Sequence, residues 1–461
     1  MHQAMLALGA AALCAATAAL PRAGATSPAA KSSATNESGA TLTIRDWTLP
    51  NGLRVVYAPV HRLPAVTVQV WYHVGSKNEQ PGLRGVAHMF EHMMFKGSAR
   101  VPPERHAQLL AGIGGEVNAF TAEDVTAYHN TLPRQYFSFA VALEAERMRH
   151  LLLTERTIAS EREVVKEEKR LRLENSPIGR ALEALRALAY RAHPYAWSPA
   201  GDIPDLDRVT VPLCQRFYDT YYRPNNATLV IVGDVGEEEV RRTALTYFGP
   251  IAGGAPAPPV KAVEPPQAGL RERRADWPSQ LNVVLGAYHI PDARHADLPA
   301  LTVLATILGA GRSSRLHQAL VRRGQLALGA GAFAEENEHP GLFVVYGYGL
   351  PTQDLARMQQ TLLEQVDAIA HDGVTAAELE KARNQLATGH LRSRQTVDGL
   401  AYQIGVSTYL QGDPRAFLDD VARIDRVTAA DVRRVAGAYL QRPNLSLVAL
   451  PAQTPAAEAA K

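Results

Sequence analysis

An internal duplication restricts the folds available to this chain more than any other feature. A strand-like run ends in a Tyr-His pair at Tyr72, and a second run ends in the same pair at Tyr288. Further on, Arg-Pro-Asn precedes an apolar run twice, at 223–225 and at 442–444. The two offsets, 216 and 219 residues, are nearly equal. Repetition at one offset indicates two copies of a single structural unit.

Helical stretches lie between the matched strands. In one of them, polar Glu104 and Gln108 accompany apolar Leu109 and Ile113 at helical spacing. Strands and helices in this order predict an α+β fold of two homologous halves, each of mainly antiparallel sheet plus helices. The chain has 461 residues, which is too many for one hydrophobic core and agrees with two halves.

Composition sets the boundaries of these halves. An apolar, Ala-rich run is followed by an Ala-x-Ala site before Thr26, as in a secretory signal peptide; a short buried helix is the alternative. A stretch rich in Pro, Ala and Gly separates the two copies. The predicted segments are a signal peptide (1–25), a flexible lead-in (26–40), a first half (41–248), a linker (249–269), a second half (270–450) and a loose tail (451–461).

The signal peptide predicts export, and a periplasmic location in a bacterium fits best. Removal of the signal leaves Cys214 as the one cysteine, so the mature chain cannot form an internal disulfide. The apolar run is too short for a good membrane span, and no membrane span is expected after processing. The formal net charge of +2 gives no reason to expect nucleic acid as a partner.

Two histidines one helical turn apart form the core of a predicted metal site. Apolar residues at helical spacing predict a helix over about 83–96. On it His88 and His92 are related as i and i+4, so both imidazoles can reach one ion. Glu91 lies beside them, where it can take a proton from a metal-bound water. A coincidental pair of helical histidines is the alternative.

A third ligand is expected from the helix predicted over 158–173. Glu161 and Glu168 are two turns apart and share a face, together with Val164 and Val165. The neighbouring acidic residues, mixed with Lys and Arg, are expected to lie on the solvated sides. A charged solvent face is the alternative interpretation for Glu161 and Glu168 as well.

The sequence resembles the inverzincin peptidases of the pitrilysin family, which includes mitochondrial processing peptidase and bacterial periplasmic relatives. The resemblance extends over nearly all of the mature chain. It is carried by the two-copy layout and by His88-x-x-Glu91-His92, Glu161 with Glu168, Gly115 to Thr121, and His193-Pro194-Tyr195. It implies a clamshell of two halves around a substrate chamber.

The resemblance also implies roles for these residues. His88, His92 and Glu168 would bind one Zn²⁺ per chain, with Glu91 as general base and Glu161 as a carboxylate that orients a ligand. The strand with Asn118, Ala119 and Phe120 would be a sheet edge that pairs with an extended peptide substrate. An ordinary core strand is the alternative for that segment.

The internal repeat places apolar residues at the counterparts of the histidine motif in the second half. They are Leu304, Ile307 and Leu308, so we expect no zinc there.

One position departs from the family pattern. Active relatives carry an Arg and a Tyr in the second half, where they bind substrate and stabilise an oxyanion. Here Arg322 is present, but Leu328 stands where Tyr is expected, and its side chain has no hydrogen-bond donor. We therefore expect a heterodimer in which a homologous subunit supplies the Arg/Tyr pair. A homodimer that uses Tyr346 or Tyr348 is one alternative, and a non-catalytic assembly subunit is another.

Overall fold

The computed structural model describes residues 42–453. The predicted signal peptide and lead-in, and the tail from residue 454 onward, lie outside this range. The α-helices that the described residues form are α1 Val86–Met93, α2 Arg105–Ala111, α3 Phe137–His150, α4 Glu155–Lys169, α5 Pro177–Ala189, α6 Ile203–Leu206, α7 Val211–Tyr221, α8 Glu237–Phe248, α9 Leu298–Gly309, α10 Leu355–Asp372, α11 Ala376–Ser393, α12 Val397–Gln411, α13 Asp420–Arg426 and α14 Ala429–Tyr439.

The strands form two sheets of the same design. They are β1 Arg45–Thr48, β2 Arg54–Pro59, β3 Ala65–Tyr72, β4 Glu116–Thr121, β5 Thr126–Pro133, β6 Ala227–Gly233, β7 Arg271–Arg274, β8 Asn282–Ile290, β9 Gly329–Ala334, β10 Gly341–Gly349 and β11 Leu445–Leu450. The first sheet has the order β1-β2-β6-β3-β5-β4 and the second β7-β11-β8-β10-β9. Apart from the added β1, both have one parallel pair, β2 with β6 and β7 with β11, and otherwise antiparallel pairs. The predicted α+β fold of two homologous halves is confirmed.

Hydrogen bonds around one asparagine correct the alignment of the two copies. The side-chain amide of Asn226 donates to the carbonyl of Tyr221 at 2.9 Å, and that of Asn444 donates to Tyr439 at 2.8 Å. Asn226 is thus the counterpart of Asn444, at an offset of 218. The sequence comparison paired Asn225 with Asn444, which is wrong by one residue. The first copy has a second asparagine in its turn, and only the hydrogen bonds show which one is equivalent.

The two halves exchange a helix. α5 precedes the second half in the sequence, yet it packs on the second sheet, while α12 of the second half packs on the first sheet. The buried side chains that α5 contributes are Ile178, Ala181, Ala184, Leu185 and Ala189. Those that α12 contributes are Leu400, Ala401 and Ile404. Each half therefore covers an apolar sheet face of the other, in two separate buried clusters.

A pair of glycine substitutions tests this helix exchange. A Cβ added to Gly405 of α12 would lie 2.2 Å from the buried Trp71 ring of the first sheet, whereas one added to Gly437 of α14 meets nothing within 4 Å. We expect Gly405→Ala to lower the free energy of unfolding by about 1–3 kcal/mol through overpacking. Gly437→Ala should raise it by about 0.5–1 kcal/mol through helix propensity. Urea unfolding measures both, and equal stability of the two variants would contradict the packing.

The segment between the sheets is hydrogen-bonded to both halves, and Gln267 donates to the Leu445 carbonyl of β11 at 2.7 Å. Between α8 and β7 the chain forms no helix or strand. The Glu264 carboxylate in this segment accepts hydrogen bonds from the backbone N–H groups of Arg191, Ala192 and His193, at 2.8–3.0 Å.

Among the described residues, none of the helices is both long and apolar enough to cross a bilayer.

Candidate metal centre

Helix α1 is fixed on both its buried face and its start. Met89, Phe90 and Met93 are fully buried in the core of the first half. At the start of the helix, the buried carboxylate of Glu79 accepts hydrogen bonds from the N–H groups of Gly85 and Ala87, at 2.9 and 2.7 Å. These contacts satisfy donors that a helix N-terminus leaves unpaired. The opposite face of α1 is thereby held in one orientation.

That face carries the two histidines, and Glu168 of α4 lies against them. The Nε2 atom of His92 is 3.3 Å from Glu168 Oε2, and that of His88 is 3.9 Å from the same oxygen. One donor atom from each residue lies within 4.8 Å of the others. Donors about 2.1 Å from a tetrahedral zinc ion are about 3.4 Å apart, so two imidazoles and a carboxylate at these distances fit zinc.

Glu161 lies behind this cluster. Its Oε2 atom is 3.4 Å from Nδ1 of His92, and its Oε1 atom is 2.9 Å from Nζ of Lys96. The side chain is 3% exposed, so it faces the ligand rather than open space. A carboxylate on the second ring nitrogen fixes the tautomer and orientation of a ligand imidazole. This position suits the orienting role better than direct contact with a substrate.

The sequence placed Val164 and Val165 on the same face of α4 as Glu161, and this prediction is correct for Val165 but wrong for Val164. Val165 is fully buried as expected, but Val164 is 47% exposed. At 100° per residue, Val165 lies about 40° from Glu161 around the helix axis, whereas Val164 lies about 60° away on the other side. That difference takes Val164 out of the buried stripe. Glu163 and Glu167 are exposed, as predicted for the sides of the helix.

Glu91 points to the strand that borders the metal centre. Thr121 at the end of β4 donates its hydroxyl hydrogen to Glu91 Oε2 at 2.7 Å. Burial raises the pKa of Glu91, against the opposing effect of this hydrogen bond. A carboxylate with a raised pKa holds a proton more readily near neutral pH, which suits a group that must accept one and return it.

The three possible ligands differ in protonation. Burial lowers the pKa of His88 to about 4. For His92 burial acts in the same direction, but the carboxylates of Glu161 and Glu168 outweigh it and raise the pKa to about 9. The hydrogen bond to His92 lowers the pKa of Glu168 to about 2. At pH 7 and without metal, His88 is therefore a neutral imidazole, Glu168 a carboxylate and His92 an imidazolium with one proton to release.

Zinc binding is expected to release this proton, because a ligand imidazole must be neutral. Between pH 4 and pH 9 the zinc affinity should therefore rise with pH, by about tenfold per unit. Calorimetric titration in buffers of different ionisation enthalpy should give about one proton released per zinc at pH 7. In Glu161→Gln, which loses one of the two carboxylates beside His92, release should cease at a lower pH. Release of no proton by the wild-type chain would contradict this charge state.

The predicted peptide-binding residues lie on a sheet edge. β4 is the last strand of the first sheet and pairs with β5 on one side. Asn118 is exposed, whereas Ala119 and Phe120 are half-buried on opposite faces of the strand. The alternative of an interior core strand does not hold.

Arg322 is exposed in the π-helical turn His317–Arg323 of the second half. In the described part of the chain, no hydrogen bond or ion pair joins it to the metal cluster. Leu328 is 50% exposed, and its N–H donates to the Tyr348 carbonyl at 2.8 Å. The hydroxyls of Tyr346 and Tyr348 lie over Gly331 and Gly329 of β9.

Three residues at the site carried no assignment from the sequence. They are Thr121 beside Glu91, Lys96 beside Glu161, and Arg172, whose Nη1 atom is 2.6 Å from Glu168. Lys96 and Arg172 are each four residues after a possible ligand, so helical spacing could have indicated them. Thr121 could not be found in this way, because its contact joins a strand to a helix.

The corresponding place in the second half has no such cluster. The residues at the histidine positions, Leu304, Ile307 and Leu308, are buried in α9. Glu378 on α11 is paired with Arg315, with Nε and Oε1 2.7 Å apart. Among residues 42–453, His88, His92 and Glu168 are the one group of three side chains able to hold a metal.

Comparison with known proteins gives the family. Residues 54–202 match the family model described as insulinase (peptidase family M16), and residues 208–386 match the one described as peptidase M16 inactive domain. A zinc protease named PqqE from Helicobacter pylori is 32% identical over 412 residues, covering 86% of this chain and 89% of the relative. The chain belongs to the M16 peptidase family, and the resemblance found in its motifs is confirmed.

Solved structures agree with this membership. The crystal structure of a protease from Helicobacter pylori has a TM-score of 0.85 and 29% identity, covering 89% of this chain and 99% of that one. The periplasmic protease PqqL from Escherichia coli has a TM-score of 0.72 at 20% identity, which shows a common fold. That match covers 90% of this chain but 49% of PqqL, so the present chain corresponds to about half of the longer protein.

Proposed function

We propose that this chain is a zinc-dependent endopeptidase that cleaves peptides or small unfolded proteins. The observation that carries the proposal is the cluster of His88, His92 and Glu168 with the Glu91 carboxylate beside it. Relatives of the chain are named zinc proteases. A non-catalytic assembly subunit has no use for this combination of residues. In the described part of the chain, the second half has no equivalent combination.

In this proposal His88, His92 and Glu168 hold the metal and Glu161 orients His92. Bound zinc would supply Lewis acidity, polarising a carbonyl and lowering the pKa of water toward neutrality. Glu91 takes the proton of the attacking water and passes it to the leaving amine. The Thr121 hydroxyl holds the Glu91 carboxylate in place by its 2.7 Å hydrogen bond.

The peptide would bind as an added strand along β4. The N–H of Ala122 donates to the carbonyl of Val125 at 2.8 Å. Because hydrogen-bonded pairs alternate along antiparallel strands, the backbone groups of Phe120 and Asn118 face β5 and those of Ala119 face the open edge. The Ala119 N–H is occupied by the side-chain oxygen of Asn118, at 2.9 Å. A peptide carbonyl would take the place of this oxygen, and main-chain pairing of this kind suits broad specificity.

We further propose that the chain is the zinc-bearing subunit of a two-chain peptidase. Leu328 has no group to stabilise an oxyanion, and Arg322 is exposed without a described partner near the metal cluster. The fold of this chain makes up about half of PqqL, which leaves room for a second unit of equal size. A homologous subunit would supply the missing Arg/Tyr pair. The hydrophobic leader and the periplasmic relative in Escherichia coli favour export to the periplasm.

Purified chain assayed with and without a homologous partner tests the two-chain arrangement. We expect the chain alone to bind zinc and to cleave a quenched fluorescent peptide at least about a hundredfold more slowly than the pair, the usual effect of one lost oxyanion donor. Arg322→Ala in this chain should change the activity of the pair little if the partner supplies the arginine. Full activity of the chain alone would refute the heterodimer, and loss of that activity in Tyr348→Phe would then support the homodimer.

A further inference from the structure

The hairpin that carries β4 has a buried tip. Its residues Glu123 and Asp124 are 3% and 4% exposed. Connecting segments normally lie in solvent, and burial of a carboxylate is costly unless it is paired and hydrogen-bonded. The partners of these two carboxylates therefore show what the tip is built to contact.

Asp124 is held by groups from both halves. Lys77 Nζ lies 3.0 Å from Asp124 Oδ1, and the Tyr195 hydroxyl donates to the same oxygen at 2.5 Å. The backbone N–H of Glu338, in the second half, donates to Oδ2 at 3.0 Å, and the Glu338 side chain pairs with Lys77. Burial opposes ionisation of Asp124, but Lys77 and these hydrogen bonds lower its pKa below the usual value.

Glu123 has a matching arrangement around Arg186 of the exchanged helix α5. The Nη2 atom of Arg186 lies 3.0 Å from Glu123 Oε1 and 2.5 Å from Oε1 of Glu335 in the second half. All three side chains are at most 4% exposed. Each of the two buried cations thus bridges one carboxylate of the β4–β5 hairpin and one carboxylate of the second half.

The second-half partners lie on the equivalent hairpin. Glu335 and Glu338 connect β9 to β10, which occupy the same places in the second sheet as β4 and β5 in the first. The tips of two corresponding hairpins therefore meet through ion pairs centred on the buried Lys77 and Arg186, and of the four carboxylates only Glu338 is exposed. In the first half, Thr121 stands two residues before Glu123 and donates to Glu91. Movement of the tip would displace that hydroxyl.

We propose that the ion pairs of Lys77 and Arg186 position β4, so that the second half sets the geometry of Glu91 in the first. This inference rests on the proposed peptidase function. Lys77 and Arg186 are positioning residues, since they act on Glu91 only through the hairpin and Thr121. The second half thereby contributes to the metal centre without contacting the ligands.

Asp124→Asn tests the proposal with little change of shape. The amide oxygen can still accept the hydrogen bond from Tyr195, but the variant loses the charge that pairs with Lys77 and the second oxygen that accepts from the Glu338 N–H. We expect kcat to fall about tenfold with KM changed less than threefold and zinc retained, because small displacements of a reacting group cost large factors in rate. Asp46→Asn is the matched control, since it removes an ion pair with Arg54 at the opposite edge of the same sheet. An unchanged kcat in Asp124→Asn would overturn the proposal.

A double substitution separates positioning from general stability. If the network acts through the hydroxyl of Thr121, Asp124→Asn should reduce kcat less than twofold in a Thr121→Val background. Effects that multiply would show that the two sites act independently and would overturn the proposal. Amide hydrogen exchange of 118–121 needs no activity: exchange should be faster in Asp124→Asn than in Asp46→Asn, and equal rates would count against the proposal. If the wild-type chain with zinc and its partner cleaves no peptide, the proposed function fails, while this exchange measurement still decides the positioning.

Discussion

Glu91→Gln should abolish hydrolysis while leaving zinc in place. The amide is close in shape to the carboxylate and can still accept the hydrogen bond from Thr121, but it cannot take a proton from water. General base catalysis contributes about 10²–10⁴-fold, so kcat/KM should fall by roughly a thousandfold. Zinc should remain at one ion per chain, because Glu91 lies beside the three possible ligands and is not one of them. Activity is measured with a quenched peptide, and zinc by atomic absorption.

The matched control for this variant is Glu163→Gln. Glu163 is on α4, with a side chain that is 64% exposed and paired with Lys166. The same chemical change there should leave kcat/KM within about twofold, as surface substitutions away from the site have small effects. If Glu91→Gln retained the wild-type turnover, the assignment of the base would be refuted. If it lost zinc as well, Glu91 would be needed for the metal, and the loss of activity would say nothing about proton transfer.

Glu168→Ala should remove the metal itself. The variant keeps both histidines but loses the carboxylate that lies 3.3 Å from His92 Nε2 and 3.9 Å from His88 Nε2. Two imidazoles alone bind zinc weakly, so we expect less than about a tenth of an ion per chain after gel filtration. Activity should fall by roughly a thousandfold or more, since water is not activated near pH 7 without the metal.

Thermal unfolding gives a second measure of this effect. A ligand at a hundred times its dissociation constant stabilises the folded state by about 2.7 kcal/mol. Added zinc should therefore raise the Tm of the wild-type chain but not that of Glu168→Ala. Glu167→Ala is the control: its side chain is 59% exposed and paired with Arg170, the residue that follows α4. Full zinc occupancy in Glu168→Ala would disprove the third ligand.

The two variants separate the roles at one site. Glu91→Gln should be inactive with zinc bound, whereas Glu168→Ala should be inactive without zinc. A chain that folds normally and shows the first pattern at position 91 and the second at position 168 would have the arrangement of base and ligand proposed here. The reverse pattern would exchange the two assignments.

The parts of the site that the sequence predicted are those that helix geometry fixes locally. His88 and His92 are one turn apart, so a 3.6-residue period is enough to place them on one face with Glu91 beside them. Glu161 and Glu168 are two turns apart, and the structure brings both to the same histidine. The error at Val164 also comes from relying on the helical period, because the period alone does not say how wide the buried stripe is.

The tertiary structure decided what depends on contacts between distant segments. Thr121 reaches Glu91 across 30 residues, and Arg186 reaches Glu335 across 149. The exchange of α5 and α12 between the sheets belongs to the same class. Apolar burial is not directional, so an amphipathic sequence shows that a helix must cover a sheet but not which of two similar sheets it covers. The sequence by itself therefore determined the candidate metal-binding residues and the duplication, whereas packing decided which elements of the second half contact the first.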